Sequence, residues 1–384
     1  MPKVLISDKL SPQAVEIFKN KGIEVDLKTG LSEDELLKII GNYDGLAIRS
    51  ATKVNEKVLA AATKLKVVGR AGIGVDNVDV KAATARGVIV MNTPFGNSVT
   101  TAEHAISLMM ALARQIPAAS ASSHAGKWEK NKFMGVDLAG KTRGLIGCGN
   151  IGSIVADRAQ GLKMKVIAFD PFLSVERAAA INVEKVELEV LLSRADFISL
   201  HTPMTDATRN LLNKQNLAKC KKGVRIVNCA RGGLIVEADL KEAIESGHVA
   251  GAALDVFEEE PATSNPLFGM EQVVCTPHLG ASTNEAQENV AIQVAEQMAE
   301  YLTAGTVTNA LNMPSVSAED AARLKPYLDL AARLGGFAGQ MTKSGLNKVS
   351  IEFEGKVTEL NTKPLTAAEL NGLLSPLVER VNMV

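Results

Sequence analysis

The chain carries almost no net charge: 42 Lys and Arg stand against 43 Asp and Glu, a formal balance of -1 at pH 7. Without a surplus of positive charge there is no chain-wide field to hold nucleic acid or anionic lipid, and the cluster Lys219, Lys221, Lys222 is too short to supply one. Cysteine is scarce as well. Cys148, Cys220, Cys229 and Cys275 are widely spaced and make neither a CxxC pair nor a zinc pattern, which argues against a disulfide scaffold or such a metal site and for free thiols in a reducing compartment. No apolar run is long enough to span a bilayer, and "MPKVLISDKLS" passes straight into an apolar strand pattern with no charged leader or cleavage site; a cytoplasmic protein is expected. Tandem repeats and low-complexity tracts are missing too. What is present is globular in composition: 384 residues, 46% hydrophobic and 22% charged, enough for two or three domains with cores of their own.

Short β-rich runs alternate with helical patterns over residues 1–94: "KVLISD", "IEVDLK", "GLAIRS", "LKVVGR" and "VIVMN". That rhythm predicts a parallel α/β unit. It resumes after residue 141 with "RGLIG", "KVIAFD", "DFISLH", "VRIVNC", "AALDVF" and "VVCTPH", predicting a second, larger one. Between them, "SVTTAEHAISLMMALARQIPAASASSHAGKWEK" reads as a long helix crossing from one unit to the other, its apolar stripe packed between domains or subunits. The pattern "NEAQENVAIQVAEQMAEYLTAG" is a helix with one apolar side, expected to return the chain to the first unit. The first unit is then discontinuous, residues 1–94 and 281–308, around an insert of residues 95–280; residues 309–384 form a shorter α+β segment with a strand-like "KVSIEFEGKVTEL" and a terminal helix "TAAELNGLLSPLVERV".

"GLIGCGNIG" follows an apolar strand and leads into a helix, with Gly147, Gly149 and Gly152 at dinucleotide-turn spacing and Asn150 and Ile151 between them. The next strand ends in Asp170. In such a turn the first glycine makes the bend, the second lets backbone approach a pyrophosphate, and the third allows close packing; the acid takes the ribose hydroxyls and repels a 2'-phosphate, favouring NAD over NADP. "GRAGIGVDNVD" also follows a strand but lacks the third glycine and the acid. It reads as a substrate-side loop, with Arg70 and the Gly72 amide facing an anion.

Ligands of open parallel sheets gather beyond the carboxyl ends of the strands, which picks out Arg231, Glu260 and His278. Hydride transfer at an oxygen-bearing carbon needs a proton carrier near neutral pH, which histidine provides; a carboxylate raises and orients the imidazole, and arginine grips a substrate carboxylate and polarises the adjacent carbonyl. Singly, each has an ordinary reading as a surface ion pair, a solvated loop acid or a loop histidine. Together, beside a dinucleotide turn, they point to a site. His201 reads equally as a cofactor contact or as packing, and His104, His124 and His248 as structural. Cys229 reads either as a redox-sensitive thiol or as an inert buried one.

With Asp170, the motifs "GLIGCGNIG", "NCARGGLIVEADL", "GAALDVFEEEP" and "TPHLGAST" resemble those of the D-isomer-specific 2-hydroxyacid dehydrogenase family, continuously over residues 1 to about 310. The resemblance implies a flavodoxin-like substrate domain with an inserted Rossmann NAD-binding domain, the site in the cleft between them. It implies that Arg231 binds the substrate carboxylate and carbonyl, that Glu260 and His278 act as acid and base, and that Thr202, Pro203, Ala230, Asp255 and Gly280, with His201 and Cys229, line the cofactor site. "LAIRSATKV" and "VVGRAGIGVDNVD" resemble members acting on phosphorylated substrates, which implies that Arg49, Ser50, Arg70 and Gly72 take the anionic end and that Asn97 joins them. In "GKWEKNKF", Trp128 and Lys130 would reach a neighbouring subunit's site in a homodimer or homotetramer. The implied reaction is NAD-dependent oxidation of 3-phospho-D-glycerate to 3-phosphohydroxypyruvate, the entry to L-serine synthesis. Glycerate or hydroxypyruvate reduction, or another D-2-hydroxyacid oxidation, uses the same set, and an NAD(H)-sensing corepressor-like role is the reading from another class. Residues 309–384 resemble the opening of a partial intervening, regulatory domain that in long relatives continues into a ligand-sensing ACT domain, so serine feedback through such a domain is in doubt. The terminal-helix residues Leu370, Leu373, Leu374, Leu377 and Val378 are expected to pack on another subunit.

Overall fold

Two parallel sheets organise the computed structural model, which describes residues 1–314, 318–342 and 346–377. The chain divides into one unit of residues 1–96 with the described part of 284–384 and a second of residues 97–283. In the first, β1 (Lys3–Ile6), β2 (Glu24–Leu27), β3 (Gly45–Ile48), β4 (Val67–Arg70) and β5 (Ile89–Asn92) are ordered β2-β1-β3-β4-β5, the flavodoxin-like order. β3 and β5 are buried along their whole length while β2, at the other end of the sheet from β5, is not, which is why the buried runs read as apolar stretches. Helix Asn284–Ala304 buries Val290, Val294 and Met298 in the same core as Val4, Ile6, Val67 and Ile89. Residues 309–312 then run along β5, with the Leu311 amide on the Val90 carbonyl at 2.9 Å.

The second unit holds β6 (Thr142–Ile146), β7 (Lys165–Phe169), β8 (Glu184–Lys185), β9 (Phe197–Leu200), β10 (Val224–Asn228), β11 (Val249–Leu254) and β12 (Val273–Cys275), ordered β12-β11-β10-β9-β6-β7-β8. This is the doubly wound Rossmann order, and the direction of winding reverses between β6 and β9. The long helix expected before it is two helices, Ser98–Arg114 and Ile116–His124, broken at Gln115, whose φ of 51° is left-handed, with Pro117 starting the second. The first helix buries Ala105, Leu108, Met109 and Leu112 in this unit's own core rather than between domains or subunits; the second buries no residue within the chain.

The C-terminal segment departs from expectation. Residues 348–354 form no regular element and pair with no strand, and Gly355–Glu359 form a 3-10 turn. Their neighbours are the helices Ala318–Met341 and Lys363–Leu374, which offer no sheet edge; Phe353 instead packs on Leu324, Ala331 and Leu365. Of the apolar set on the last helix, Leu373 is buried within this chain, Leu377 is exposed, and Val378 lies outside the described residues.

One core residue was not foreseen. Arg143 on β6 is fully buried, and none of its three guanidinium nitrogens has a hydrogen-bond partner among the described residues. Burial pushes it down to about 10. An unsatisfied cation in an apolar core is costly, and well-packed apolar replacements of buried charges stabilise by about 1–4 kcal/mol. Arg143→Met is therefore expected to raise the midpoint of thermal unfolding; an unchanged or lower midpoint would show that the guanidinium is satisfied in solution.

Candidate active site

The glycine turn is built by close approach. Gly147 has φ of +93° and its amide donates to the Phe169 carbonyl at 2.9 Å, tying the end of β6 to β7. A Cβ there would lie 2.6 Å from the His201 carbonyl oxygen, and one on Gly152 would lie 2.3 Å from the Gly147 carbonyl oxygen. Only glycine lets these segments meet. A Cβ on Gly149 would meet open space, leaving that face of the turn clear, and Asn150 and Ile151 begin helix Asn150–Gly161, whose first amides suit an anion. Asp170 follows β7 and braces the turn: Oδ2 accepts the Cys148 amide at 2.7 Å and Oδ1 the Phe172 amide at 2.8 Å. Thr202 and Pro203 lie in the loop after β9. A dinucleotide fits this chemistry, with open backbone for a pyrophosphate and a carboxylate for ribose hydroxyls.

His201, half-buried just past β9, turns its ring toward Ser199. Its ring nitrogen Nε2 meets Ser199 Oγ at 2.7 Å, and burial, with Arg143 nearby, pushes the imidazole down to about 3. Its backbone carbonyl borders the glycine turn. Cys229 is buried, and burial pushes its thiol well above the ordinary range, which removes the redox reading.

At the ends of β10, β11 and β12 the three singled-out side chains come from loops held by buried polar groups. Asn228 donates from Nδ2 to the Arg231 carbonyl at 2.8 Å and accepts the Ala230 amide at 3.0 Å, while Arg231 Nη1 donates to the Ala230 carbonyl at 2.6 Å. A Cβ on Gly232 would lie 1.7 Å from the Phe257 carbonyl oxygen, so glycine there brings the Arg231 loop directly against the loop carrying Glu260. His278 Nδ1 meets Glu260 Oε2 at 2.6 Å, and Oε1 of the same carboxylate accepts the Phe257 amide at 3.0 Å. The hydrogen bond to Glu260 raises the His278 imidazole above its usual range against the opposing effect of burial. Burial pulls Glu260 upward, but the bonds from His278 and Phe257 outweigh it and hold the carboxyl below its usual range. Half of the His278 side chain is exposed, so the dyad is open to a ligand.

His278 itself has φ of 56°, a strained left-handed conformation for a non-glycine residue. The fully buried Asp255 holds it there, accepting the Thr276 hydroxyl at 2.6 Å and the amides of Leu279 at 2.7 Å and Gly280 at 2.8 Å. His104 Nε2 lies 3.2 Å from the same carboxylate, so this histidine joins the site's scaffold. Asp255 and Gly280, expected to line the cofactor site, thus build the histidine turn. The sequence signal for Asp255 and Asn228 was a lone polar residue closing an apolar strand.

In the first unit Arg49 and Arg70 stand at neighbouring strand ends: β3 and β4 pair Ile48 with Arg70, Arg49 is the next residue, and Ser50 is exposed beside it. Gly72 does not offer its amide to an anion as expected. It is buried, and its N–H donates to Thr93 Oγ1 at 2.7 Å because the loop folds back onto the end of β5. Asn97 is buried in the second unit, its Oδ1 without a hydrogen-bond partner among the described residues. Trp128 is 90% exposed and Lys130 is exposed, both in the segment after helix Ile116–His124.

Residues 106–280 match the NAD binding domain of the D-isomer specific 2-hydroxyacid dehydrogenases, and residues 323–384 match the D-3-phosphoglycerate dehydrogenase intervening domain. A D-3-phosphoglycerate dehydrogenase of Synechocystis sp. is 47% identical over 386 residues, spanning 100% of this chain and 70% of the relative. The chain belongs to the D-3-phosphoglycerate dehydrogenase family. A relative of that name from Archaeoglobus fulgidus is 46% identical, spanning 100% of this chain and 73% of its own. Among solved structures, a glyoxylate reductase from Paecilomyes thermophila superposes with a TM-score of 0.75 at 29% identity, covering 81% of this chain and 98% of that one. The apo-structure of an Escherichia coli D-lactate dehydrogenase gives 0.71 at 28%, covering 81% and 100%. As a D-2-hydroxyacid dehydrogenase family member the protein is an NAD-dependent enzyme, and Arg231, Glu260 and His278 all fall inside its matched NAD-binding domain.

With His278 as the acid of a carbonyl reduction, the imidazolium form would donate the proton, and kcat/KM is expected to fall as pH rises through the His278 pKa. His278→Asn is expected to lower kcat roughly 10²- to 10⁴-fold. Glu260→Gln removes the group that raises the imidazole, so the fall should move to lower pH; a pH profile with the wild-type midpoint would separate the two residues.

Proposed function

We propose that the protein oxidises 3-phospho-D-glycerate to 3-phosphohydroxypyruvate with NAD, the entry step of L-serine synthesis. The Glu260–His278 pair, 2.6 Å apart beside the Arg231 loop, is the observation that carries this reading. Arg231 holds the substrate carboxylate and draws electron density from the C2 oxygen. His278 Nε2 takes the proton of the C2 hydroxyl, and Glu260 stabilises the imidazolium that results. NAD, when bound, accepts the hydride that leaves C2. Its site comprises the turn of Gly147, Gly149, Asn150, Ile151 and Gly152, with Asp170 at the ribose; the negative charge of Asp170 favours NAD over NADP.

Two guanidinium groups at adjacent strand ends suit a phosphate, so Arg49, Ser50 and Arg70 are assigned to that end of the substrate. The buried, unpartnered Asn97 Oδ1 supports a ligand contact at that residue. The exposed Trp128 and a helix Ile116–His124 that buries nothing within one chain support a homodimer or homotetramer in which Trp128 and Lys130 serve a neighbouring subunit. Balanced charge and four free cysteines support a cytoplasmic location.

Initial rates of NADH oxidation with 3-phosphohydroxypyruvate, hydroxypyruvate and pyruvate test the reading. The phosphorylated substrate is expected to be strongly preferred, and Arg49→Ala to raise its KM roughly 10- to 100-fold, as for loss of a charged hydrogen bond. Equal turnover of the unphosphorylated acids would move the protein to the broader family, and NADH binding without turnover would favour a sensing role.

A further inference from the structure

The loop that carries Arg49 and Ser50 is clamped at both ends by two side chains that contact no other part of the proposed site. Past β1 the chain continues along β3, with the Ser7 amide on the Ala47 carbonyl at 3.1 Å, and Asp8 then turns its carboxylate into the protein, 6% exposed. Asp8 Oδ2 accepts the amides of Arg49 at 2.6 Å and Thr52 at 3.2 Å, and Oδ1 accepts the Thr52 hydroxyl at 2.7 Å. Ser7 Oγ lies 2.8 Å from the same hydroxyl. From the opposite side Asn77 Nδ2 donates to the carbonyls of Arg49 and Thr52, both at 2.6 Å. Residues 49–52 are thus gripped by their N–H groups at one side chain and by their carbonyls at another, leaving Ser50 exposed between.

Asn77 belongs to the loop that follows β4, and so to the segment led by Arg70. Its backbone carbonyl accepts the Val54 amide at 2.8 Å, stitching the two loops a second time. The separation of the two guanidinium-bearing loops is therefore fixed by backbone-directed bonds rather than by the arginines themselves. A carboxylate is an unexpected neighbour for an anion-binding loop, since its charge opposes the ligand. Its geometry explains its presence: two amides and a hydroxyl converge on it, and an ionised carboxyl accepts all three with no donor of its own to misplace.

We infer that Asp8 and Asn77 are positioning residues for substrate specificity, holding the 49–52 loop and the Arg70 loop at the spacing that fits a phosphate. The inference rests on the phosphorylated-substrate reading above. Charge and geometry predict opposite signs for Asp8→Asn. Removing a negative charge near an anion would lower KM, whereas replacing one accepting oxygen by an NH2 group that faces backbone amides loosens the loop and raises it. Asn77→Ala changes no charge and should act in the same direction as a loosened loop.

Steady-state kinetics of the full chain with 3-phosphohydroxypyruvate and with hydroxypyruvate, at saturating NADH, read this directly. Both variants are expected to raise KM for the phosphorylated substrate about tenfold, the effect of one or two lost hydrogen bonds. Their kcat and KM for NADH should stay near wild type, the preference over hydroxypyruvate should shrink in proportion, and Asp8→Glu should recover part of the loss. If Asp8→Asn proves too unstable to assay, Asn77→Ala alone decides. A lower KM in Asp8→Asn, an unchanged KM in both variants, or an equal rise for hydroxypyruvate would overturn the inference while leaving the reaction assignment intact. A wild-type enzyme indifferent to the phosphate would remove the underlying reading and the inference with it.

Discussion

A parallel strand ends in backbone groups that its neighbours no longer reach, and leaving them buried and unpaired is costly. At four strand ends across the two units a short polar side chain takes up such groups, on its own loop or on that of another strand. Asp8 takes amides of residues 49 and 52, Asp170 those of 148 and 172, Asn228 the backbone of 230 and 231, and Asp255 the amides of 279 and 280. Asp and Asn suit the task because they are short enough to bond nearby backbone without crossing a packed layer. The loops carrying Arg49, Arg231 and His278 are consequently extensions of rigid sheets, which is what a site needs to hold its geometry before a ligand arrives.

The electrostatics of the second unit follow from the same scaffold. Asp255 is buried and ionised because backbone donors and His104 converge on it, and its charge in turn helps to raise His278. His201, just past β9 and two strands from β11, meets the opposite conditions: burial and the cation of Arg143 push it down to about 3. Two histidines in one unit therefore shift in opposite directions from the ordinary imidazole value, one through a carboxylate partner and one through burial beside a cation.

Much of this was legible in the sequence where the chemistry is local. The glycine turn, the apolar strands and the Arg231, Glu260 and His278 set depend on spacing and strand ends, which survive in one dimension. What failed to show was which way a group faces. Gly72 and His201 sit where expected along the chain, but the amide of one and the ring of the other point inward, to Thr93 and Ser199. Arg143 falls on a buried position that periodicity alone cannot distinguish from an edge. The alternation of Val349, Ile351 and Phe353 imitates a strand, yet pairing requires an edge that two neighbouring helices do not supply. Asp8, Asn77 and His104 did not stand out in the sequence because their contacts run to backbone or to other side chains, and such contacts leave no spacing rule.

Asp170 has a further consequence for how this fold can change over evolutionary time. The residue proposed to repel a 2'-phosphate is also the clip between the glycine turn and the segment after β7. A substitution that relaxes the cofactor choice therefore removes the acceptor for two amides in the same step. Drift toward NADP is hindered by architecture as well as by charge: it requires a second, compensating change in the turn, and a lineage must pass through a loosened intermediate to reach it.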